Sequence, residues 1–392
     1  MKNVWVKAAS LALAGCLMVG AVAGCSGDPG NSTTGGSGRE TYKIGGIGPT
    51  TGTAATYGTS VRQGAELAIK EINAAGGVNG KDLELMFEDD QADGAKAKSA
   101  YEKLMDKGMQ ILLGAVTSGA SVSLNDLVAQ DGILQVTPSA TQIEAVSVND
   151  NAFRICFTDP MQGQEMAKYA YNTLGYRKAA VIYNQDDSYS TGIYEAFKET
   201  WASLGGTMSA DTSFAKDDSD FSAQMTTVKS SDAEFLFMPI YAEKAAQIAI
   251  AASNKDLTIP MLGSDGMDGI LSYLEGENAK LVEGMIYLTP FVATDTNEKV
   301  QKFVKDYQAA YGGATPDQFA ANAYDAVYVI KAALEIGDKD GGELDNDALV
   351  AAMLEVEVDG ITGHMTFQEN GESNKGIKLA KIVNGEYVAL EA

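Results

Sequence analysis

The stretch YKIGGIGPTTGTAATYGTSVRQGAELAIKEINAAGGVNGKDLELMFEDD, residues 42–90, places a strand, a helix and a second strand in succession. YKIGGIG is short and apolar, as a buried strand is. The following segment puts apolar residues from Val61 to Ile72 on one helical face, and Gly76 and Gly77 end the helix. LELMFEDD alternates apolar and polar residues, which is typical of a strand. This order predicts a βαβ unit with parallel strands.

The same alternation continues along the chain. The segments AKAKSAYEKLMDKG, MQILLGAV, SVSLNDLVAQDG and ILQVTPSAT predict helix, strand, helix and strand. A second series begins with the helical QGQEMAKYAYNTLGY and the strand KAAVIYN, and helix-rich stretches follow at 296–312 and 316–336. Asn384-Gly385 between apolar alternations predicts a hairpin. Because roughly 350 residues exceed one typical domain, we expect an α/β protein of two lobes, each with a parallel sheet and helices on both faces.

The N-terminus has the pattern of an export signal. Residues 1–24 combine a basic start with an apolar run that is short for a membrane span, and an uncleaved anchor is the less favoured alternative. Val22-Ala23-Gly24-Cys25 resembles the lipobox of bacterial lipoproteins, which implies that Cys25 is lipidated. Cys16 ends a rival match, but cleavage there would leave an apolar tail. The Gly- and Ser-rich residues 25–40 then predict a flexible tether to the membrane.

Composition excludes several classes of function. A formal net charge of −24 disfavours nucleic acid and a protein lying flat on anionic lipid. Beyond the signal and Cys25, only Cys156 remains, and it is expected to be a buried, inert thiol. The single histidine, His364, leaves no common zinc cluster or nucleophilic triad, and we interpret it as an ordinary strand residue. We therefore expect no metal, no cofactor and no enzyme, although a carboxylate-only mechanism stays an alternative.

Candidate binding residues follow the predicted strands, where ligands bind in open α/β sheets. Hydroxyl side chains follow two strands of the first series, and tyrosines and an acid follow three strands of the second. These residues are Ser118, Ser139 and Thr141 in the first series, and Tyr189, Tyr241 and Asp265 in the second. A zwitterion removed from water needs donors for its carboxylate and an acid for its ammonium. Neutral hydroxyls can serve the anion without adding a competing cation.

At this point the chain resembles a known family. The stretch from GPTTGTAATYG to FEDDQAD, followed in order by GAVTSGAS, TPSAT, DDSYSTG, IYAEKAAQI and GSDGMDG, is similar to the branched-chain-amino-acid-type solute-binding proteins of ABC importers. The resemblance runs from about Tyr42 to the C-terminus. It implies a periplasmic-binding fold of the first type, with lobe 1 at 41–159 and 290–362 and lobe 2 at 160–289 and 363–392. The three crossovers of this hinge would fall near 157–160, 290 and 360–364.

The resemblance also implies roles for single residues. Ser118, Ser139 and Thr141, with backbone N–H groups, would hold a ligand carboxylate, and Tyr57 would line the side-chain pocket. Tyr189, Tyr241 and Asp265 would close over the ligand, with Asp265 receiving the ammonium. Simpler readings stay open: Ser118 and Thr141 could cap helices, the tyrosines could pack the lobes, and Asp265 could serve the turn before Gly266.

The sequence therefore predicts an exported, lipid-tethered receptor on the outer face of the cytoplasmic membrane. It would capture an amino acid, branched-chain or related, and present it to an ABC permease as a monomer. One alternative is a ligand-sensing subunit of the same fold that serves a signalling partner. The other is a lipoprotein enzyme, which turnover of candidate substrates would reveal.

Overall fold

The computed structural model describes residues 39–390, so the predicted signal, Cys16 and Cys25 lie outside the described residues. Strands and helices alternate along most of the chain. The strands are β1 Thr41–Gly48, β2 Asp82–Asp89, β3 Ile111–Gly114, β4 Leu134–Thr137, β5 Ala152–Arg154, β6 Lys178–Asn184, β7 Thr207–Phe214, β8 Phe235–Met238, β9 Met261–Gly263, β10 Ile286–Thr289, β11 Val358–Gly360, β12 Gly363–Met365, β13 Lys378–Val383 and β14 Glu386–Leu390. The α-helices are α1 Ala55–Ala74, α2 Gly94–Asp106, α3 Ser118–Ser123, α4 Asn125–Asp131, α5 Asp159–Lys168, α6 Ser188–Ser203, α7 Ser222–Ser230, α8 Ala242–Ser253, α9 Glu298–Ala310, α10 Gln318–Gly337 and α11 Asn346–Ala352.

The first lobe is built on a parallel sheet in the order β2-β1-β3-β4-β5. Ile44 of β1 lies beside Leu85 of β2 and Ile111 of β3, which fixes the register of the central strands. Ile44 and Ile111 are fully buried, because helices cover both faces of the sheet. The parallel βαβ arrangement expected from residues 42–90 is confirmed.

The second lobe is built on a sheet in the order β14-β13-β10-β9-β8-β6-β7. Its strands from β6 to β10 pair in parallel, whereas β13 and β14 run antiparallel at one edge. The turn between them is Asn384-Gly385, with φ angles of 53° and 76°, so the predicted hairpin is confirmed. The sheet is thus mixed rather than wholly parallel, because a tight two-residue turn can join only antiparallel strands.

Local departures from the sequence predictions have physical causes. The helix expected over 121–132 is two short helices, α3 and α4, which meet at Leu124. Strand β5 has only three residues, too few to show a period of two. Helix α11 begins inside the acid-rich stretch DKDGGELDND, residues 338–347, and the Asp345 side chain accepts hydrogen bonds from the N–H groups of Asp347 and Ala348. That acid therefore starts a helix.

The chain passes between the two sheets after β5, after β10 and through the β11–β12 hairpin, before β13. Helix α10 packs along α1 in the first lobe. The helices cross closely at Gly64, where an added Cβ would lie 2.0 Å from the carbonyl oxygen of Ala320. The N-terminus of α10 reaches the second lobe, where the N–H of Gln318 donates to Asp268 Oδ2 at 2.9 Å.

The positions of Cys156 and His364 agree with the structural roles expected from the sequence. Cys156 is buried, and that burial raises the pKa of its thiol. His364, on β12, is exposed and places Nδ1 2.7 Å from Asp359 Oδ1. Between residues 39 and 390, no helix is long and apolar enough to cross a bilayer. No group of three or more metal-ligating side chains comes together within the same range.

Candidate functional site

The hydroxyl-bearing residues of the first lobe form two connected loops after β3 and β4. Ser118 Oγ accepts hydrogen bonds from the N–H groups of Thr141 at 3.1 Å and Gln142 at 3.2 Å. The Ser139 hydroxyl donates to the carbonyl oxygen of Val116 at 2.8 Å. Ser118 therefore ties one loop to the other and does not cap the helix that it begins. Its own hydroxyl hydrogen remains available for a further acceptor.

Two threonine hydroxyls are buried beside these loops. Thr117 Oγ1 and Thr141 Oγ1 each form no hydrogen bond of ordinary geometry within residues 39–390. Thr141 nevertheless lies close enough to Asp159 to lower the pKa of that carboxyl. Because a buried hydroxyl without a partner is unfavourable, these atoms are candidate contacts for a polar ligand group.

The second lobe presents Asp265 at the start of a 3₁₀ turn, Asp265–Met267, which is separated from the end of β9 by one residue. The Tyr189 hydroxyl donates to Asp265 Oδ1 at 2.7 Å and accepts from the N–H of Gly266 at 2.9 Å. The backbone of Asp265 is held as well: Gln162 Oε1 accepts from its N–H at 2.9 Å, and Gln318 Nε2 donates to its carbonyl oxygen at 2.6 Å. The orientation of this carboxylate is therefore determined from several sides.

Burial dominates the electrostatics of Asp265. It is 3% exposed, and loss of water raises the pKa of its carboxyl from the usual 3.8 to about 6, although the Tyr189 hydrogen bond opposes the shift. At neutral pH the side chain is an ionised acid in a dry environment. Such a group gains strongly from a cation.

Aromatic rings fill the space between the lobes. Tyr57, in the first turn of α1, lies with its ring 4.4 Å from Phe319 and 5.5 Å from Tyr241, centroid to centroid. Tyr241 stacks on Tyr189 at 4.8 Å. The Tyr57 hydroxyl crosses to the second lobe, where it donates to the carbonyl oxygen of Gly266 at 2.8 Å and accepts from the N–H of Ala242 at 2.7 Å. Tyr57 thus joins the lobes as well as lining the site.

These side chains meet around one small cavity of about 10 Å³. It is lined by Tyr57, Val116, Thr117, Ser118, Ser139, Tyr189, Tyr241, Asp265, Gly266 and Phe319. Every residue predicted from the sequence to bind ligand is in this lining except Thr141, whose N–H donates to Ser118 Oγ. Room of this size suits about one water molecule. Entry of a larger ligand therefore requires the lobes to separate.

Asp159 belongs to the same region but was not singled out from the sequence. It begins α5 at the first crossover, its N–H donates to the carbonyl oxygen of Thr141 at 2.9 Å, and it is 1% exposed. Neither carboxylate oxygen forms an ordinary hydrogen bond within residues 39–390. Burial raises the pKa of Asp159 well above the usual value, and the Asp265 charge raises it further. The usable signal was an acid two residues after the stretch FRICF, residues 153–157, at a predicted crossover.

A wider cavity of about 300 Å³ adjoins the small one and shares Thr117 and Tyr241 with it. It lies at the mouth of the cleft, between Asp93 on the first lobe and Lys216 on the second. Its volume is in the range of small-molecule sites. A separate cavity of about 400 Å³ lies beside β10 and β14 and contains none of the residues predicted to bind ligand.

Comparison with known proteins decides the family. A family model described as periplasmic binding protein matches residues 41–386. The chain belongs to the periplasmic binding protein family. The resemblance drawn from the sequence motifs is thereby confirmed, and so is the two-lobed α/β fold that it implied.

The similarity to individual relatives extends over most of both chains. The Leu/Ile/Val-binding protein homolog 3 of Brucella melitensis biotype 1 is 31% identical over 353 residues, which cover 89% of this chain and 93% of the relative. The Escherichia coli Leu/Ile/Val-binding protein is 25% identical over 338 residues, covering 85% and 88%. The Streptococcus pneumoniae branched-chain amino acid transporter substrate-binding protein LivJ, solved with isoleucine, is 28% identical with a TM-score of 0.82, covering 90% of this chain and 100% of LivJ.

Proposed function

We propose that this protein is an extracytoplasmic receptor that binds an amino acid of the branched-chain type and presents it to an ABC permease. The observation that carries the proposal is one cavity with neutral hydroxyls on one side and a buried acid on the other. The names of the relatives, and the isoleucine bound by the Streptococcus pneumoniae protein, support the choice of ligand class.

The ligand carboxylate would lie against the first lobe. Ser118 and Thr141 supply hydroxyl donors there, Ser139 would have to exchange its hydrogen bond to the carbonyl oxygen of Val116 for one to the ligand, and the nearby hydroxyl of Thr117 lacks an ordinary partner within residues 39–390. Removing a carboxylate from water costs several kcal/mol unless hydrogen-bond donors replace the lost water. Neutral donors meet that need without attracting the acids of the second lobe.

The ammonium group would lie against the second lobe. Asp265 is an acid of the cavity lining. Asp159 lies close enough to it for the Asp265 charge to raise the pKa of the Asp159 carboxyl. Two buried carboxylates repel each other, and one ammonium between them relieves that repulsion. We propose Asp265 as the principal contact and Asp159 as the second.

Binding would couple to closure of the lobes. The Ser188 hydroxyl of the second lobe donates to Gln142 Oε1 of the first at 2.5 Å, and Tyr57 makes the two bonds described above. A ligand that contacts both lobes favours the closed arrangement by its contacts in that state. Small-angle scattering should give a smaller radius of gyration with saturating ligand, and an unchanged radius would contradict closure.

Attachment to the membrane would use Cys25, which lies outside the described residues. The lipobox and the Gly- and Ser-rich residues 25–40 support a lipidated tether, and the lobe limits given above remain proposals. We expect Cys25→Ala to lose fatty-acid label in cells, with Cys16→Ala as the matched control that keeps it. Retained label on the Cys25 variant would contradict the assignment.

Binding without turnover is the simplest chemistry for this site. The matched family is one of binding proteins, and His364 lies on β12 outside the cavity lining. The function is tested by melting the protein with single amino acids. A ligand at a hundred times its Kd adds about 2.7 kcal/mol to the free energy of unfolding. Leucine, isoleucine or valine should raise the melting temperature, whereas no shift with any amino acid would contradict the proposal.

A further inference from the structure

Arg154, the last residue of β5, is an arginine with 0% exposure at the first crossover between the lobes. A buried cation is stable only when its donors and its charge are both satisfied. The partners of this side chain therefore show what the arginine holds in place.

The guanidinium group contacts both ends of the segment that contains Thr141. One terminal nitrogen donates to the carbonyl oxygen of Ala140 at 2.8 Å, and the other donates to that of Ile143 at 2.9 Å. The rigid, planar fork of arginine suits two such carbonyls at a fixed separation. Residues 140–143 are therefore held by a single side chain that does not line the cavity.

The charge of Arg154 is paired with an acid from the other end of the chain. The Nε of Arg154 lies 3.0 Å from Glu372 Oε2. The backbone N–H of Arg154 donates to the carbonyl oxygen of Gly371 at 3.0 Å. The approach is close, because an added Cβ at Gly371, where φ is 77°, would lie 2.1 Å from the carbonyl oxygen of Ala152. Glu372 follows β12 and precedes β13, so it lies on the third connection between the lobes.

We propose that Arg154, paired with Glu372, is a positioning residue for ligand binding. It holds residues 140–143 so that the N–H groups of Thr141 and Gln142 reach Ser118 Oγ. The pair also ties this segment to the third connection between the lobes. The inference rests on the proposed carboxylate contacts of Ser118 and Thr141.

The test uses Arg154→Lys and Glu372→Gln, with Glu88→Gln as the matched control. Glu88 also pairs with cations in the first lobe, Lys103 at 2.5 Å and Lys107 at 2.6 Å, but on β2, which contributes no residue to the cavity. Hydrogen exchange without ligand should be at least tenfold faster at Thr141 and Gln142 in both test variants. Exchange in β3, Ile111–Gly114, should stay within about twofold of wild type.

Calorimetry with L-isoleucine is the second measurement. We expect Arg154→Lys to weaken the affinity at least tenfold, Glu372→Gln to weaken it three- to tenfold, and Glu88→Gln to change it less than twofold. If Arg154→Lys fails to fold, Glu372→Gln carries both measurements.

Unchanged exchange at Thr141 and Gln142 would overturn the inference. An equal increase in β3 would also overturn it, because the pair would then stabilise the lobe as a whole. If the wild-type protein binds no amino acid, the proposed function fails, while the exchange measurement still decides whether Arg154 positions the segment.

Discussion

The two walls of the cleft differ in charge although both are built largely at the ends of parallel strands. The first lobe contributes hydroxyls, Val116 and two aromatic rings. Among the described residues, its part of the cavity lining contains no charged side chain. The second lobe contributes Asp265, whose charge raises the pKa of Asp159 at the first crossover. One wall can therefore accept an anion and the other a cation.

This difference separates the two ends of a zwitterion. An arginine or lysine on the first wall would bind a carboxylate, but it would also attract Asp265 across the cleft and compete with the ligand. Hydroxyl donors avoid that competition, and Arg154 lies outside the cavity lining with its charge paired to Glu372. The contrast predicts that mutations on the two walls affect different ends of the ligand.

The largest expected effect is the loss of Asp265, the acid proposed to bind the ligand ammonium. Asp265→Asn keeps the size of the side chain and removes its charge, so the ligand ammonium would be buried without its ion partner. Breaking one side of such a pair costs about 3–5 kcal/mol, which is roughly a hundred- to several-thousand-fold in Kd. Calorimetry with L-leucine measures the change.

Asp217→Asn is the control for that experiment, because Asp217 is an exposed acid of the second lobe. We expect its Kd to match wild type. An Asp265→Asn affinity within about threefold of wild type would mean that another group, with Asp159 as the first candidate, holds the ammonium.

Ser118→Ala should have the next largest effect, because it removes the proposed donor to the ligand carboxylate and the acceptor for the N–H groups of Thr141 and Gln142. A loss of about 2 kcal/mol corresponds to about thirtyfold in Kd. Ser190→Ala is the matched control: Ser190 is as deeply buried and donates to the carbonyl oxygen of Pro239 at 2.6 Å, inside the second lobe. Equal affinity losses in the two variants would remove the special role of Ser118.

Tyr57→Phe tests the contact that joins the walls. The ring stays, but the carbonyl oxygen of Gly266 and the N–H of Ala242 lose their shared partner. About 1.4 kcal/mol, or tenfold, should appear mainly as faster ligand dissociation in stopped-flow measurements. Tyr42→Phe is the control, because it removes a buried hydroxyl bonded to Asp338 Oδ2 at 2.5 Å within the first lobe. It should lower the melting temperature without changing the rate of ligand dissociation. Unchanged dissociation from Tyr57→Phe would confine that residue to packing.

The smallest expected effect is that of pH on ligand affinity and stability, through the titration of Asp265. Burial raises the pKa of Asp265 to about 6, so affinity should fall as pH drops through about 6, reaching roughly tenfold at pH 5. Without ligand, the pH dependence of the free energy of unfolding has the opposite sign, because the folded state binds a proton more tightly at Asp265 than the unfolded state does. The contribution of Asp265 to stability is therefore present near pH 4 and is lost as pH rises through about 6. Calorimetry and melting curves of wild type and Asp265→Asn between pH 4 and 8 measure both slopes. Parallel curves for the two proteins would contradict this assignment.

The sequence predicted the parts of this molecule that repeat. Alternating strands and helices, the Asn384-Gly385 hairpin and the strand-end positions of Ser118 and Asp265 follow from local patterns. Thr141 was placed by its motif, but its contact with Ser118 depends on hydrogen bonds between two loops. Such bonds leave no periodic pattern.

Long-range partners explain what the sequence could not provide. Asp159 is unremarkable beside Pro160 until the fold places it near Asp265, and Arg154 meets Glu372 across more than two hundred residues. The bonds from the Tyr57 hydroxyl to the second lobe likewise depend on how the lobes meet. Local patterns carry no information about pairs of this kind.

The central claim is that opposite walls hold opposite ends of one zwitterion, and truncated ligands test it most directly. Calorimetry of the wild-type protein should compare L-leucine with 4-methylpentanoate, which lacks the ammonium, and with 3-methylbutylamine, which lacks the carboxylate. Losing either charged contact should cost about 3 kcal/mol or more, so both analogues should bind at least a hundredfold more weakly than leucine. Binding of either analogue within tenfold of leucine would contradict the account.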